Sequence, residues 1–194
     1  DPADPYSRAL PMANTPLGQR FRFGVPRSPE FFGDEAARAA FHQALQQLES
    51  LGGQAVPIDF SPLFQCADML YGSALVAERY AAVREFVDAH EADVIEPVRS
   101  ILTEGRRYSA ADLCQAQTML AGLAQQADAL WQGLDLLVVP TAPTHYTIEA
   151  MQADPVALNR NLGAYTNFVN LLDYAALSVP SSLRPDGLPF GITL

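Results

Sequence analysis

The stretch Asp135–Thr144 reads DLLVVPTAPT, and its interpretation decides the fold. Leu136 to Val139 form an apolar run without polar alternation. Such a run fits a strand buried on both faces, as in the middle of a sheet with helices on either side. Pro140 and Pro143 end it sharply, because proline donates nothing to a ladder and restricts the residue before it. In an open α/β sheet, ligands tend to sit in the loop just past a central strand. A core strand followed by a stiff loop is the plainer reading of the same residues.

Upstream of this strand, Gly133 closes a long helical pattern that starts at Ser109-Ala-Ala-Asp112. That start resembles a capping box with Asp in the place of the usual Glu. Leu113, Ala116, Leu120, Leu123, Ala127 and Leu130 fall on one stripe of the helix. Glu96–Gly105 carries another helical pattern, and a longer one runs from Leu63 to about His90, interrupted at Gly72. Ser61-Pro62 reads as the N-cap of the latter, with proline at the first helical position. This block is too long for a single crossover and is expected to form a helical layer inserted between sheet strands.

Before the block, Arg22–Pro26 (RFGVP) and Gln54–Asp59 (QAVPID) read as short strands. Between them Asp34 caps a helix reaching Leu51, with Ala37, Phe41, Ala44, Leu45, Leu48 and Leu51 on one apolar face. Gly52-Gly53 ends it in a left-handed turn. Strand, helix and strand within about forty residues make a βαβ unit. Residues 1–16 are rich in Pro, Asp and Ser and read as loop.

After the central strand, Asp154-Pro155 opens a short helix and Tyr165–Asp173 (YTNFVNLLD) reads as another. Ala176–Pro180 is a plausible strand, Arg184–Gly187 (RPDG) a turn, and Leu188–Leu194 (LPFGITL) a further strand. The chain opens without methionine and stops inside an apolar strand, which is expected of a piece of something longer.

Composition narrows the function classes. A length of 194 residues suits one large domain or part of one, and 49% hydrophobic content suits a packed core. No apolar run approaches the ~20 residues of a membrane span, and no signal-peptide pattern opens the sequence. The net charge of −10 argues against nucleic acid and anionic lipid as partners. Cys66 and Cys114 are too few for a disulfide framework or a zinc site. A cytoplasmic location is the expectation. All twelve basic residues are arginines. A catalytic lysine, a Schiff base and a phosphate-loop lysine are therefore excluded for this polypeptide alone.

Few side chains suggest chemistry by pattern. His42, His90 and His145 have no metal-ligand spacing. Ser181-Ser182 could be a nucleophile pair, but it reads as turn with no base nearby in sequence. Within Leu70–Arg79 (LYGSALVAER), Tyr71 and Arg79 would be separated on an unbroken helix by ~12 Å of rise and ~80° of rotation. A bend at Gly72 lets both polar tips converge on one pocket. An arginine fork beside a tyrosine hydroxyl suits a small planar carboxylate. The competing reading is a surface arginine paired to Glu78 or Glu85 and a tyrosine packed in the core.

Five segments together carry a family resemblance: FGVPRSPEFFGD (Phe23–Asp34), LYGSALVAERYAAVR (Leu70–Arg84), LVVPTAPTHYT (Leu137–Thr147), DPVALNRNLGAYTNFVNLLDYAALSVP (Asp154–Pro180) and RPDGLPFGITL (Arg184–Leu194). The chain resembles the allophanate hydrolases, a branch of the amidase-signature enzymes, over nearly its whole length. The LVVPTAPT and ALSVP pieces are shared loosely across amidase-signature enzymes, whereas LYGSALVAER and NLGAYTNFVNLLD point to the allophanate branch. The match is to the later half of the amidase domain. The glycine- and serine-rich signature and the upstream lysine have no counterpart here.

The resemblance implies an α/β fold: residues 1–194 as the C-terminal portion of an amidase-signature α/β/α sandwich, with a mixed central sheet and an inserted helical layer. It implies a Ser–cis-Ser–Lys mechanism supplied by the absent N-terminal half, so this chain carries no catalytic residue. It implies allophanate as substrate, made by a biotin-dependent urea carboxylase and broken down to ammonia and carbon dioxide without metal or organic cofactor. Tyr71 and Arg79 fall on the family's substrate-contacting positions, and a homodimer is expected. Two alternatives stay open at this point. One is another amidase-signature enzyme, either an amidase or part of an amidotransferase. The other is a non-catalytic module that docks through the helical block Leu63–Trp131.

Overall fold

The computed structural model describes residues 3–7 and 17–194. The loop expected over 1–16 lies largely outside them, with Tyr6 N–H turned onto the Asp4 carboxylate at 2.9 Å in the part described.

Strand β1 (Phe21–Pro26), helix α1 (Glu35–Ser50) and strand β2 (Gly53–Ile58) form the expected βαβ unit, with β1 and β2 parallel. Asp34 caps α1 by accepting the Ala37 N–H at 2.9 Å. The helix is closed by Gly52 at φ +99°, where a Cβ would also run into the Gln19 carbonyl.

The apolar run at the centre proves to be one extended segment serving two sheets. β3 (Leu136–Leu137) pairs in parallel with β1. β4 (Val139–Pro140) belongs to a second sheet with β5 (Ser178–Leu183) and β6 (Pro189–Thr193), and pairs antiparallel with β6. Val138 sits between β3 and β4 and donates its N–H to the Gly24 carbonyl at 2.8 Å. Orders β2-β1-β3 and β4-β6-β5 thus meet along this segment, which gives the mixed arrangement expected. Leu177 extends the pairing of β5 to Leu194 through two 2.9 Å bonds.

Successive residues of the central segment face opposite cores. Val138 packs with Phe23, Phe41, Ala44 and Phe190 beneath α1, whereas Leu137 and Val139 pack with Leu63, Leu123 and Phe168 under the helical layer. Both faces are covered, which is why the run shows no polar alternation. Gly24 in β1 leaves room on the second face: a Cβ there would come within 2.7 Å of Leu137 Cδ2 and 2.8 Å of Leu134 Cδ1.

The helical layer comprises α2 (Ser61–Gly72), α3 (Val76–His90), α4 (Val98–Glu104) and α5 (Ala110–Leu130). Ser61 is the first residue of α2 rather than its cap, because its N–H and hydroxyl both bond back to Asp59 Oδ1 at 3.0 and 2.6 Å. The capping box at Ser109 and Asp112 forms as expected. Helix α6 (Ile148–Ala153), capped by Thr147, has no counterpart in the sequence pattern. It buries none of its residues, so no apolar periodicity marks it. Helix α7 (Pro155–Leu162) starts at the Asp154 cap as expected. α2 packs on α5 and on α8 (Asn167–Leu171). Only this central part of the expected Tyr165–Asp173 helix is helical.

Candidate functional site

The break between α2 and α3 determines where Tyr71 and Arg79 meet. α2 ends at Gly72, Ser73 is extended at φ −136° and ψ 175°, and α3 restarts at Val76. This bend brings the Arg79 guanidinium over the Tyr71 ring, with Cζ 4.5 Å from the centroid. Stacking of this kind is worth ~0.5–2 kcal/mol, depending on desolvation. Arg79 forms no ion pair with Glu78 or Glu85, and Tyr71 is 39% exposed, so neither half of the competing reading describes the pair. Arg79 Nη1 is buried without a hydrogen-bond partner. A buried guanidinium N–H in that state is unfavourable until an acceptor arrives, and a carboxylate is the acceptor its planar fork fits best.

Tyr71 lines a cavity of about 280 Å³, together with Glu30, Phe32, Phe64, Asp68 and Arg160 among others. One wall is the loop before α1. There Phe32 and Gly33 are both left-handed, at φ +53° and +82°. For phenylalanine that conformation is strained and needs support. Glu30 supplies it, since Oε1 accepts the N–H groups of Phe31 and Phe32 at 2.9 and 2.6 Å. The hydroxyl of Tyr165, a fully buried residue, accepts the Glu30 N–H at 2.6 Å and ties the loop to the core. Burial raises the pKa of this phenol, which keeps it a neutral hydrogen-bonding group.

The loop past the central strand packs on a buried ion pair through Thr144 and His145. Arg184, 8% exposed, places Nη1 2.7 Å from Asp34 Oδ2 and 3.1 Å from His145 Nδ1, and Nη2 2.7 Å from Asp186 Oδ2. Thr144 donates to the same Asp34 oxygen at 3.3 Å. Burial alone would raise the Asp34 pKa, but the Ala37 N–H, Arg184 and Thr144 together hold it below the ordinary value. The cluster fastens the α1 cap, the post-strand loop and the β5–β6 turn to one another. The sequence pattern identifies Asp34 as a cap and Arg184 as a turn residue without connecting them.

The remaining candidates carry no chemistry of their own. Ser181 and Ser182 lie in β5, not in a turn, at a bulge where Pro180 and Ser182 bracket a register shift. Their Oγ atoms are buried and unbonded, so no base among the described residues activates either. No group of His, Cys, Asp or Glu among the described residues can hold a metal ion, and Cys66 and Cys114 are both free. No described helix is long and apolar enough to cross a membrane.

The described residues combine helices on both sides of the sheet segments with a stacked tyrosine–arginine pair beside a cavity. The whole chain, residues 1–194, matches the Amidase family, and the protein belongs to that family. It is similar to the urea amidolyase of Lachancea kluyveri, 38% identical over 196 residues that cover 98% of this chain and 11% of that protein. The solved selenomethionine-substituted allophanate hydrolase of Kluyveromyces lactis superposes with a TM-score of 0.93 at 36% identity, over 100% of this chain and 32% of that one. An amidase of Pseudomonas putida is 29% identical over 204 residues, covering 97% of this chain and 43% of that enzyme. The chain thus spans less than half the length of each of these relatives. The architecture expected from the resemblance is the one that the Kluyveromyces lactis structure shares.

Proposed function

We propose that residues 1–194 form the C-terminal portion of an amidase domain in an enzyme that hydrolyses allophanate, and that Tyr71 and Arg79 recognise its carboxylate. The observation that carries this reading is Arg79, stacked on Tyr71 with a buried, unpaired N–H. A carboxylate is what distinguishes allophanate from simple amides, and a preorganised arginine fork beside a hydroxyl is the group that would meet it. An amidotransferase or neutral-amide amidase of the same family has no comparable need for that cation. The parent would act in the cytoplasm as a homodimer, on the product of a urea carboxylase.

The bond-breaking groups lie elsewhere in the parent. The chain has no lysine, so a serine relayed to a neutral lysine cannot be assembled from residues 1–194. The complete enzyme is expected to release ammonia from allophanate, and this polypeptide alone to release none. Turnover by the isolated chain would refute this division of labour, and a complete enzyme inert towards allophanate would refute the substrate.

Tyr71→Phe removes one hydroxyl and keeps the ring on which Arg79 stacks. A lost neutral hydrogen bond costs roughly 0.5–1.5 kcal/mol, so kcat/KM on allophanate should fall about two- to tenfold. An unchanged kcat/KM would remove the hydroxyl from substrate recognition.

A further inference from the structure

Two cavities flank the Tyr71–Gly72 corner: the one of about 280 Å³ already described, and one of about 600 Å³ between α2 and α5. Four charged residues line them, and two of these are tied down. Glu30 is held by the N–H groups of Phe31 and Phe32, and Asp112 by the Ser109 N–H at 2.8 Å. The other two, Asp68 on α2 and Arg160 in the last turn of α7, are exposed and line both cavities. No ion pair joins them, and the Arg160 guanidinium has no hydrogen-bond partner among the described residues. A charged side chain left unpaired beside a binding cavity remains available to a ligand.

We infer that Arg160 is a steering residue that draws the anionic substrate to the cavity lined by Tyr71, on whose ring Arg79 stacks, and that Asp68 opposes it. The inference rests on the carboxylated substrate proposed above. Residues 1–194 carry a net charge of −10, which by itself disfavours an approaching anion. A local cation at the mouth of a cavity offsets that charge and raises the encounter rate or the affinity of the encounter complex, both of which enter kcat/KM. The two arginines then differ in kind. Arg160 is exposed and acts through solvent, where the screening length is about 10 Å at 0.1 M salt. Arg79 has a buried N–H, and its contact with the substrate is screened far less.

The test is kcat/KM on allophanate in the complete enzyme, measured from low to high ionic strength. Arg160→Gln is expected to lower it on the order of three- to tenfold at low salt, with the gap closing as salt is raised. Arg160→Lys keeps the charge and should retain most of the parent value, whereas Asp68→Asn should increase kcat/KM. A parent-like Arg160→Gln at low salt overturns the inference. So does a deficit that neither salt nor lysine removes, or a fall in Asp68→Asn. A complete enzyme with no turnover of allophanate, whatever the variant, instead refutes the substrate reading on which the inference rests.

Discussion

Replacing Arg79 with alanine in the complete enzyme is expected to lower kcat/KM on allophanate by about thirty- to several-thousand-fold. Truncating one partner of a buried hydrogen-bonded charge pair costs roughly 2–5 kcal/mol, because the other charge stays buried and unpaired. At ~1.4 kcal/mol per decade this gives the range stated. Arg79 is only partly buried, which favours the lower half. The fold should survive, since Arg79 makes no ion pair among the described residues and its unbonded N–H holds no other element in place. The deficit should persist at high salt, in contrast to that of an exposed cation. A variant with near-normal kcat/KM on allophanate would reduce Arg79 to a ring-stacking surface residue, and the specificity argument would fail with it.

The second large effect concerns stability. Arg184→Ala leaves the Asp34 carboxylate, whose side chain is 12% exposed, without its cation. Breaking a buried pair from one side costs about 3–5 kcal/mol. The Ala37 N–H and Thr144 hydroxyl still serve Asp34, so about 3 kcal/mol is the expected loss. It should appear as a lower denaturant midpoint with an unchanged slope. The pH dependence has a definite sign. The pKa of Asp34 is lowered in the folded state, so its contribution is fully present above the ordinary aspartate range and is lost as pH falls through the folded value. The variant and the parent should therefore converge in stability under strongly acidic conditions. An Arg184→Ala midpoint equal to the parent's at neutral pH would show that the cluster contributes nothing net.

These two sites differ in how far the amino-acid order discloses them. Tyr71 and Arg79 are close in sequence, and Gly72 between them marks the bend that makes their meeting possible. Asp34 and Arg184 stand 150 residues apart, and each has a sufficient local explanation, one as a cap and the other in a turn. Nothing local predicts their pairing. The same division runs through the fold. α1 and α5 are legible because caps and apolar stripes act within a few residues. The sharing of Leu136–Pro140 between two sheets is not, because it depends on β1 and β6, which lie far away on either side in the chain. Phe32 gives no signal either: its left-handed backbone is held by Glu30, and phenylalanine is not a residue that announces such a conformation.

The shared central segment also governs the order in which the chain can assemble. Asp135 accepts the Arg22 N–H at 2.7 Å although the two residues are 113 positions apart, and its own N–H returns to the Arg22 carbonyl at 2.8 Å. Within residues 1–194, β1, α1 and β2 precede the helical layer and pair without it. The β1 edge that will receive Leu136 and Leu137 then stays open while the entire helical layer is made. An unpaired strand edge is a template for pairing with other chains, and long-range parallel pairing is slow to form. Asp135–Val138 together fill that edge, so the whole helical layer lies inside the loop that this pairing closes.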